Sequence, residues 1–268
     1  MRTRRSLRSS GHPDHRLAPL TEQLALAGFI SAGDEAQQLL SHAGHDPALL
    51  ADAVARRSSG EPLAWITGST LLCGSRIHVH RGVYVPRWNT EPLAARAVER
   101  LPADGIAIDV CTGSGAIARI MAAARPRARV VATDIDAHAV ACARANGVDA
   151  VVGDLFDPVP LDLQRQVDVV VGIVPYVPTA ELSRLQRDTF TFESETTYDG
   201  GEDGLAILRR VIHEAPMFLR PGGALLLEAG GDQDVALTGE LTRHGFRDVV
   251  AFVDEDGDLR GIESTLEA

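Results

Sequence analysis

The chain has 268 residues, 45% of them hydrophobic and 24% charged, which is enough to bury a full core and is not the composition of a disordered chain. A formal net charge of -11, with all 26 basic residues arginine, argues against a surface that neutralises nucleic-acid phosphates, so no direct nucleic-acid binding is expected. Cys73, Cys111 and Cys142 are odd in number and lack a C-x-x-C, the nine histidines show no metal-ligand spacing, and no apolar stretch is long enough to span a membrane. Free thiols in a reducing cytoplasm and no metal site are therefore expected.

Residues 1–16 read as a flexible tail, because no apolar run follows the arginine-rich start Arg2-Thr-Arg-Arg-Ser-Leu-Arg8 as an export signal would require. Residues 17–70 read as a helical N-terminal domain. Leu17, Leu20 and Leu24 keep helical spacing, and Ser31-Ala-Gly-Asp34 can cap a second helix through Leu40. Asp46-Pro47 supplies an N-cap and a first-turn proline for a third helix. Ser58-Ser-Gly-Glu-Pro62 breaks the helical pattern, and residues 71–87 read as a β connector of one or two strands.

Over residues 88–268 strands and helices alternate. Strands are predicted at Ile106–Val110, Arg129–Thr133, Ala150–Val152, Val167–Gly172, Ala224–Glu228 and Asp248–Val253. Helices are predicted at Thr90–Arg100, Ala116–Ala124, Ala137–Asn146, Leu205–Phe218 and Gln233–His244. The alternation predicts an α/β fold with an open, Rossmann-like, doubly wound sheet beside the small helical domain.

Asp109-Val-Cys-Thr-Gly-Ser-Gly-Ala-Ile117 carries the most chemistry. A buried strand ends in an acidic residue and runs through Cys111, Thr112, Gly113, Ser114 and Gly115 into a helix whose first N–H groups face the same cleft. The turn can be written G-x-G-x-x-A, which a dinucleotide site also tolerates. Asp109 narrows the choice, since a carboxylate there suits a cationic amino-acid moiety and repels a pyrophosphate. Asp134, followed by Ile135, ends the next strand and can accept hydrogen bonds from ribose hydroxyls. Asp154 and Leu155 follow the third strand, where an adenine amino group could donate. Short acidic residues also cap helices and turns, so each position alone has a purely structural reading. As a set they point to adenine, ribose and ammonium together, as in S-adenosyl-L-methionine.

Further along, Val167-Asp-Val-Val-Val-Gly-Ile-Val-Pro-Tyr-Val-Pro178, Gly60-Glu-Pro-Leu63, Val85-Pro-Arg-Trp-Asn-Thr-Glu91, Gly153-Asp-Leu-Phe156, and Glu193 with Asp199-Gly-Gly-Glu-Asp-Gly-Leu205 stand in one order. With the glycine loop they resemble the protein-(glutamine-N5) methyltransferases that modify peptide chain release factors, especially a shorter branch of that family. The resemblance implies an S-adenosylmethionine-dependent transfer of a methyl group to a protein glutamine amide, with a release factor-like partner. It assigns Pro175 and Tyr176 to the catalytic segment, and Ile173, Val174, Arg87 and Glu193 to substrate binding. Arg87 also reads as a surface charge, and Glu193 as a helix cap. Cys111 is expected to line the cofactor turn rather than act as a nucleophile.

In the family the fourth strand ends in N-P-P-Y or N-A-P-Y, and the Asn orients the glutamine amide. Here the four positions read Ile173-Val174-Pro175-Tyr176, and Asn89 stands where the main branch has an acidic residue. Cofactor binding is thus better supported than glutamine methylation. A diverged enzyme with a small-molecule acceptor and a non-catalytic S-adenosylmethionine-binding protein are the alternatives.

Overall fold

A computed structural model describes residues 14–185 and 191–267. The arginine-rich start of the expected tail lies outside these residues. Asp14 to Arg16 do not belong to a loose tail: Arg16 bonds Asp14 at 2.7 Å and the Gly44 carbonyl at 2.9 Å. The chain divides between Thr67 and Gly68 into two compact units.

The first unit holds helices α1 (Leu17–Leu26), α2 (Ala32–Ala43), α3 (Pro47–Ser58) and α4 (Leu63–Thr67). Leu20, Leu24, Ala36, Leu39, Val54 and Ile66 meet in its core. Leu24 and Leu39 are fully buried, each contributing about 2 kcal/mol by area removed from water. Asp46 caps α3 as expected, accepting from the N–H groups of Ala48 at 2.9 Å and Leu49 at 3.1 Å. Ser31 stands at the N-cap of α2 but makes no capping bond. The short α4 was not anticipated, because Pro62 reads as a breaker and here serves as a helix start.

The second unit opens with a hairpin of β1 (Ser69–Leu72) and β2 (Ser75–His78), turned by Cys73 and Gly74 at φ 47° and 69°. Positive φ at both central residues is what a two-residue hairpin loop requires. The main sheet contains β3 (Ile106–Val110), β4 (Arg129–Asp134), β5 (Asp149–Val152), β6 (Val167–Gly172), β7 (Leu219–Leu227), β8 (Phe246–Val253) and β9 (Leu259–Leu266). Their order is β5-β4-β3-β6-β7-β9-β8; the first five are parallel, and β9 runs antiparallel to both its neighbours. Helices α5 (Glu91–Arg100), α6 (Ala116–Ala124), α7 (Ala137–Ala145), α8 (Ala206–Glu214) and α9 (Gln233–Arg243) accompany it. This is the doubly wound α/β fold that the alternation of elements predicts. No helix among the described residues is long and apolar enough to cross a membrane.

Two departures have physical causes. The helix expected to reach Phe218 stops at Glu214 and gives way to a tighter turn, because Pro216 has no N–H to continue it. Strand β9 was not anticipated. Its Glu263 and Ser264 are buried between β7 and β8, and Glu263 is neutralised there by Arg96 and by Arg100 at 3.3 Å, both from α5.

Candidate active site

The chain runs from β3 outward through β4 to β5, then returns to lay β6 against the other side of β3. The loops beyond the carboxyl ends of β3 and β6 therefore part and leave a crevice, where open α/β sheets bind ligands. A cavity of about 580 Å³ occupies that place, a size suited to a small-molecule site.

One side of the cavity is built on the glycine loop. Asp109, 2% exposed, accepts from Thr112 Oγ1 at 2.6 Å and from the Ala118 N–H at 3.1 Å, both on Oδ2, and so pins the loop to the first turn of α6. Burial pushes its carboxyl up to about 7, against the lowering effect of those two bonds. Asp134 accepts from the Gly113 N–H at 2.8 Å and the Asp136 N–H at 2.9 Å, which ties the β3 and β4 loops together. Burial also raises its carboxyl above the ordinary range. Cys111, Thr112, Gly113, Ser114 and Ile135 line the same wall. Burial, then the charges of Asp134 and Asp109, drive the Cys111 thiol well up, which disfavours the thiolate.

Gly115 is not part of the lining. At φ 77° it caps α6 with open backbone geometry, and an added Cβ would stand 2.9 Å from both Ala143 and Val148. Its role is close packing, as for a glycine that lets a helix approach its neighbour. Asn146, which the sequence left unremarked, clamps the loop from behind. Its carboxamide donates to the Ser114 carbonyl at 2.8 Å and the His78 carbonyl at 2.7 Å, and accepts from the His78 N–H at 2.9 Å.

The other side of the cavity is built on Ile173, Val174, Pro175 and Tyr176, directly after β6. Tyr176 Oη donates to Glu228 Oε1 at 3.0 Å, and Thr90 Oγ1 donates to the other oxygen at 2.7 Å. Glu228 is buried at the end of β7, and burial raises its carboxyl against the pull of those two hydroxyls. Gln233 donates to the Tyr176 carbonyl at 2.8 Å, fixing the segment from the far side. Burial and the Glu228 charge push the Tyr176 phenol far up, so it stays protonated and acts as a wall and a donor.

Arg87 also lines the cavity, donating to Glu193 at 3.2 Å and to Tyr198 Oη at 2.9 Å while standing 5.5 Å over the Tyr84 ring. Tyr198 donates in turn to the same Glu193 oxygen, and the Val85 N–H reaches the other at 3.2 Å. Glu193 therefore corrects the sequence reading. It is 5% exposed, its oxygens are taken by Arg87, Tyr198 and Val85, and it anchors the wall instead of meeting a substrate.

Asp154 and Leu155 are not among the residues that line the cavity. Asp154 pairs with Arg210 at 3.0 Å, and Leu155, at φ 45°, turns its side chain into the core. The chain has three tyrosines, and Tyr84, Tyr176 and Tyr198 all line this one cavity. That scarcity was the signal that could have found Tyr84 and Tyr198. Glu228 and Gln233 carried no such signal, because their roles depend on partners far along the chain.

A model of the methyltransferase domain matches residues 107–191. The chain is 36% identical over 210 residues to the release factor glutamine methyltransferase of Geobacter sulfurreducens, with 76% of this chain and 73% of that protein covered. It is 32% identical over 271 aligned positions to the release factor glutamine methyltransferase of Cereibacter sphaeroides, with 92% and 95% covered. Among solved structures, a methyltransferase from Pyrococcus furiosus shares the fold, with a TM-score of 0.53 at 18% identity over 81% of this chain and 100% of that one.

Proposed function

The chain belongs to the release factor glutamine methyltransferase family, and from that premise we propose that it methylates the side-chain amide of a glutamine in a release factor-like protein, in the cytoplasm, from S-adenosylmethionine. One observation carries this reading: the glycine-loop wall and the Ile173–Tyr176 wall enclose a single cavity, so donor and acceptor can meet without crossing solvent. The donor side fits the methyl donor. Cys111, Thr112, Gly113 and Ser114 line the cavity beside Asp134 and Ile135, a wall of small and polar groups suited to that ligand. Nothing stands within 4 Å of where a Cβ on Gly113 would lie, so backbone can approach a ligand there.

When bound, S-adenosylmethionine would supply an electrophilic methyl carbon on a positively charged sulfur that leaves as a neutral thioether. Asp109 would face the cationic ammonium, and the ligand's charge would favour the ionised carboxylate. Asp134 would take the ribose hydroxyls, joined along the wall by Cys111, Thr112, Gly113 and Ile135. Tyr176, fixed through Glu228 and Gln233, would form the floor of the acceptor side with Pro175, Val174 and Ile173. Arg87, held by Glu193 and Tyr198, would form its rim. An amide nitrogen is a weak nucleophile, so the chain's contribution is positioning.

The test is co-expression of the protein with a release factor, followed by peptide mass spectrometry. A single-methyl gain on one glutamine supports the reading. No gain from a chain that binds the donor would reject it, and would favour a small-molecule acceptor or a binding protein without turnover.

A further inference from the structure

Ile173 offers no polar side-chain atom, yet an amide held for transfer needs hydrogen-bond partners to fix the direction of its nitrogen. Most polar side chains around the acceptor half are already committed within the chain. Arg87 is tied to Glu193 and Tyr198, and Tyr176 to Glu228. Across the cavity Asp109 and Asp134 are held by their own loops. Asn89 is different: it lines the same cavity, and its carboxamide makes no hydrogen bond to another described residue.

Its backbone, by contrast, is well fixed. Asn89 is the middle residue of the turn Trp88–Thr90, closed by the Thr90 N–H on the Arg87 carbonyl at 3.1 Å. The next side chain, Thr90, donates at 2.7 Å to the Glu228 carboxylate that also holds Tyr176 at 3.0 Å. Asn89 thus sits one residue from a rigid path to the acceptor wall. A half-buried carboxamide with no partner among the described residues keeps its donor and acceptor available to a ligand that brings complementary groups. Another carboxamide is such a ligand, with an N–H for Oδ1 and a carbonyl for the Nδ2 donor. No bond within the chain fixes the flip of Asn89, so it can present either end.

We infer that Asn89 supplies the side-chain hydrogen bonds that orient the acceptor amide, in place of the atom that Ile173 lacks. The inference rests on the glutamine reading above. Two positions far apart in the chain, one without a polar group and one with an unused amide, line one cavity.

The test is steady-state methylation of a release factor by the wild-type chain, Asn89→Ala, Ile173→Asn and the double variant. Donor affinity by calorimetry and the denaturation midpoint serve as controls. Asn89→Ala is expected to lower kcat about 10²-fold with donor affinity unchanged, since an orienting bond is lost. Ile173→Asn in the Asn89→Ala background is expected to restore kcat about tenfold by returning an amide to the cavity. Should Asn89→Ala fail to fold, Asn89→Asp, isosteric but unable to donate, is read by the same criterion. Unchanged kcat in the Asn89 variant, or an equal loss with no rescue in the double variant, overturns the inference and leaves the glutamine reading standing. Absence of glutamine methylation by the wild-type chain overturns both.

Discussion

Replacing Asp109 by Asn separates the charge of this carboxylate from its scaffolding. Both internal hydrogen bonds end on the same oxygen, from Thr112 at 2.6 Å and Ala118 at 3.1 Å, so an Asn oxygen can accept both. What disappears is the buried charge. Burial lifts the carboxyl from 3.8 to about 7, so between those values the folded chain holds a proton that the unfolded chain releases. Wild-type stability therefore falls as pH rises from about 3.8 to about 7, and this contribution is flat above that range. At about 1.4 kcal/mol per unit, the ionised carboxylate costs about 4 kcal/mol near pH 8. Asp109→Asn removes that cost. Urea denaturation of both proteins between about pH 4 and about pH 8 should show the variant gaining about 4 kcal/mol on the wild type across the range. Calorimetry near pH 8 should show S-adenosylmethionine binding weakened by about 10- to 100-fold, since its ammonium has lost a buried counter-charge. A stability difference that does not change with pH would refute burial as the cause of the shift. Unchanged donor affinity would refute the contact with the ammonium.

Asp134→Ala removes both the proposed ribose contact and the bond at 2.8 Å that holds the Gly113 N–H, so S-adenosylmethionine binding should fall at least about 100-fold by calorimetry. Retained affinity would sink the ribose assignment. Asp154→Asn should leave donor affinity within about twofold and cost under about 1 kcal/mol, because it weakens only a half-exposed ion pair with Arg210. A large loss of affinity would instead return Asp154 to the adenine contact that its place after the third strand suggests.

Much of the second unit was legible because its signals are local. The helix after the glycine loop, Ala116–Ala124, and the strands Ile106–Val110 and Val167–Gly172 fall where apolar runs and glycine turns place them. Strand β9 was not legible, because Glu263 reads as a solvent-facing residue until Arg96 and Arg100 are brought over it from α5. Glu193 failed for the same reason. Its carboxylate reads as available to a substrate, but Arg87 and Tyr198 consume it once the two segments pack.

The sequence by itself determined the parallel strands of the sheet and the places of Asp109, Gly113 and Asp134 at and just beyond two of their ends, and its motifs carried the resemblance to the family. The strands and the strand-end residues follow from periodicity and local sequence, over distances a short window can read. Only the tertiary structure decided the second wall, which gathers Tyr84, Arg87, Asn89, Thr90, Ile173 to Tyr176 and Tyr198 around one cavity, with Glu228 tying Thr90 to Tyr176. The physical reason is that a polar side chain is free to bind or already spent according to its partner. Here Glu228 is spent on Thr90 and Tyr176, Glu193 is spent on Arg87, and Asn89 is left with its carboxamide facing no partner among the described residues.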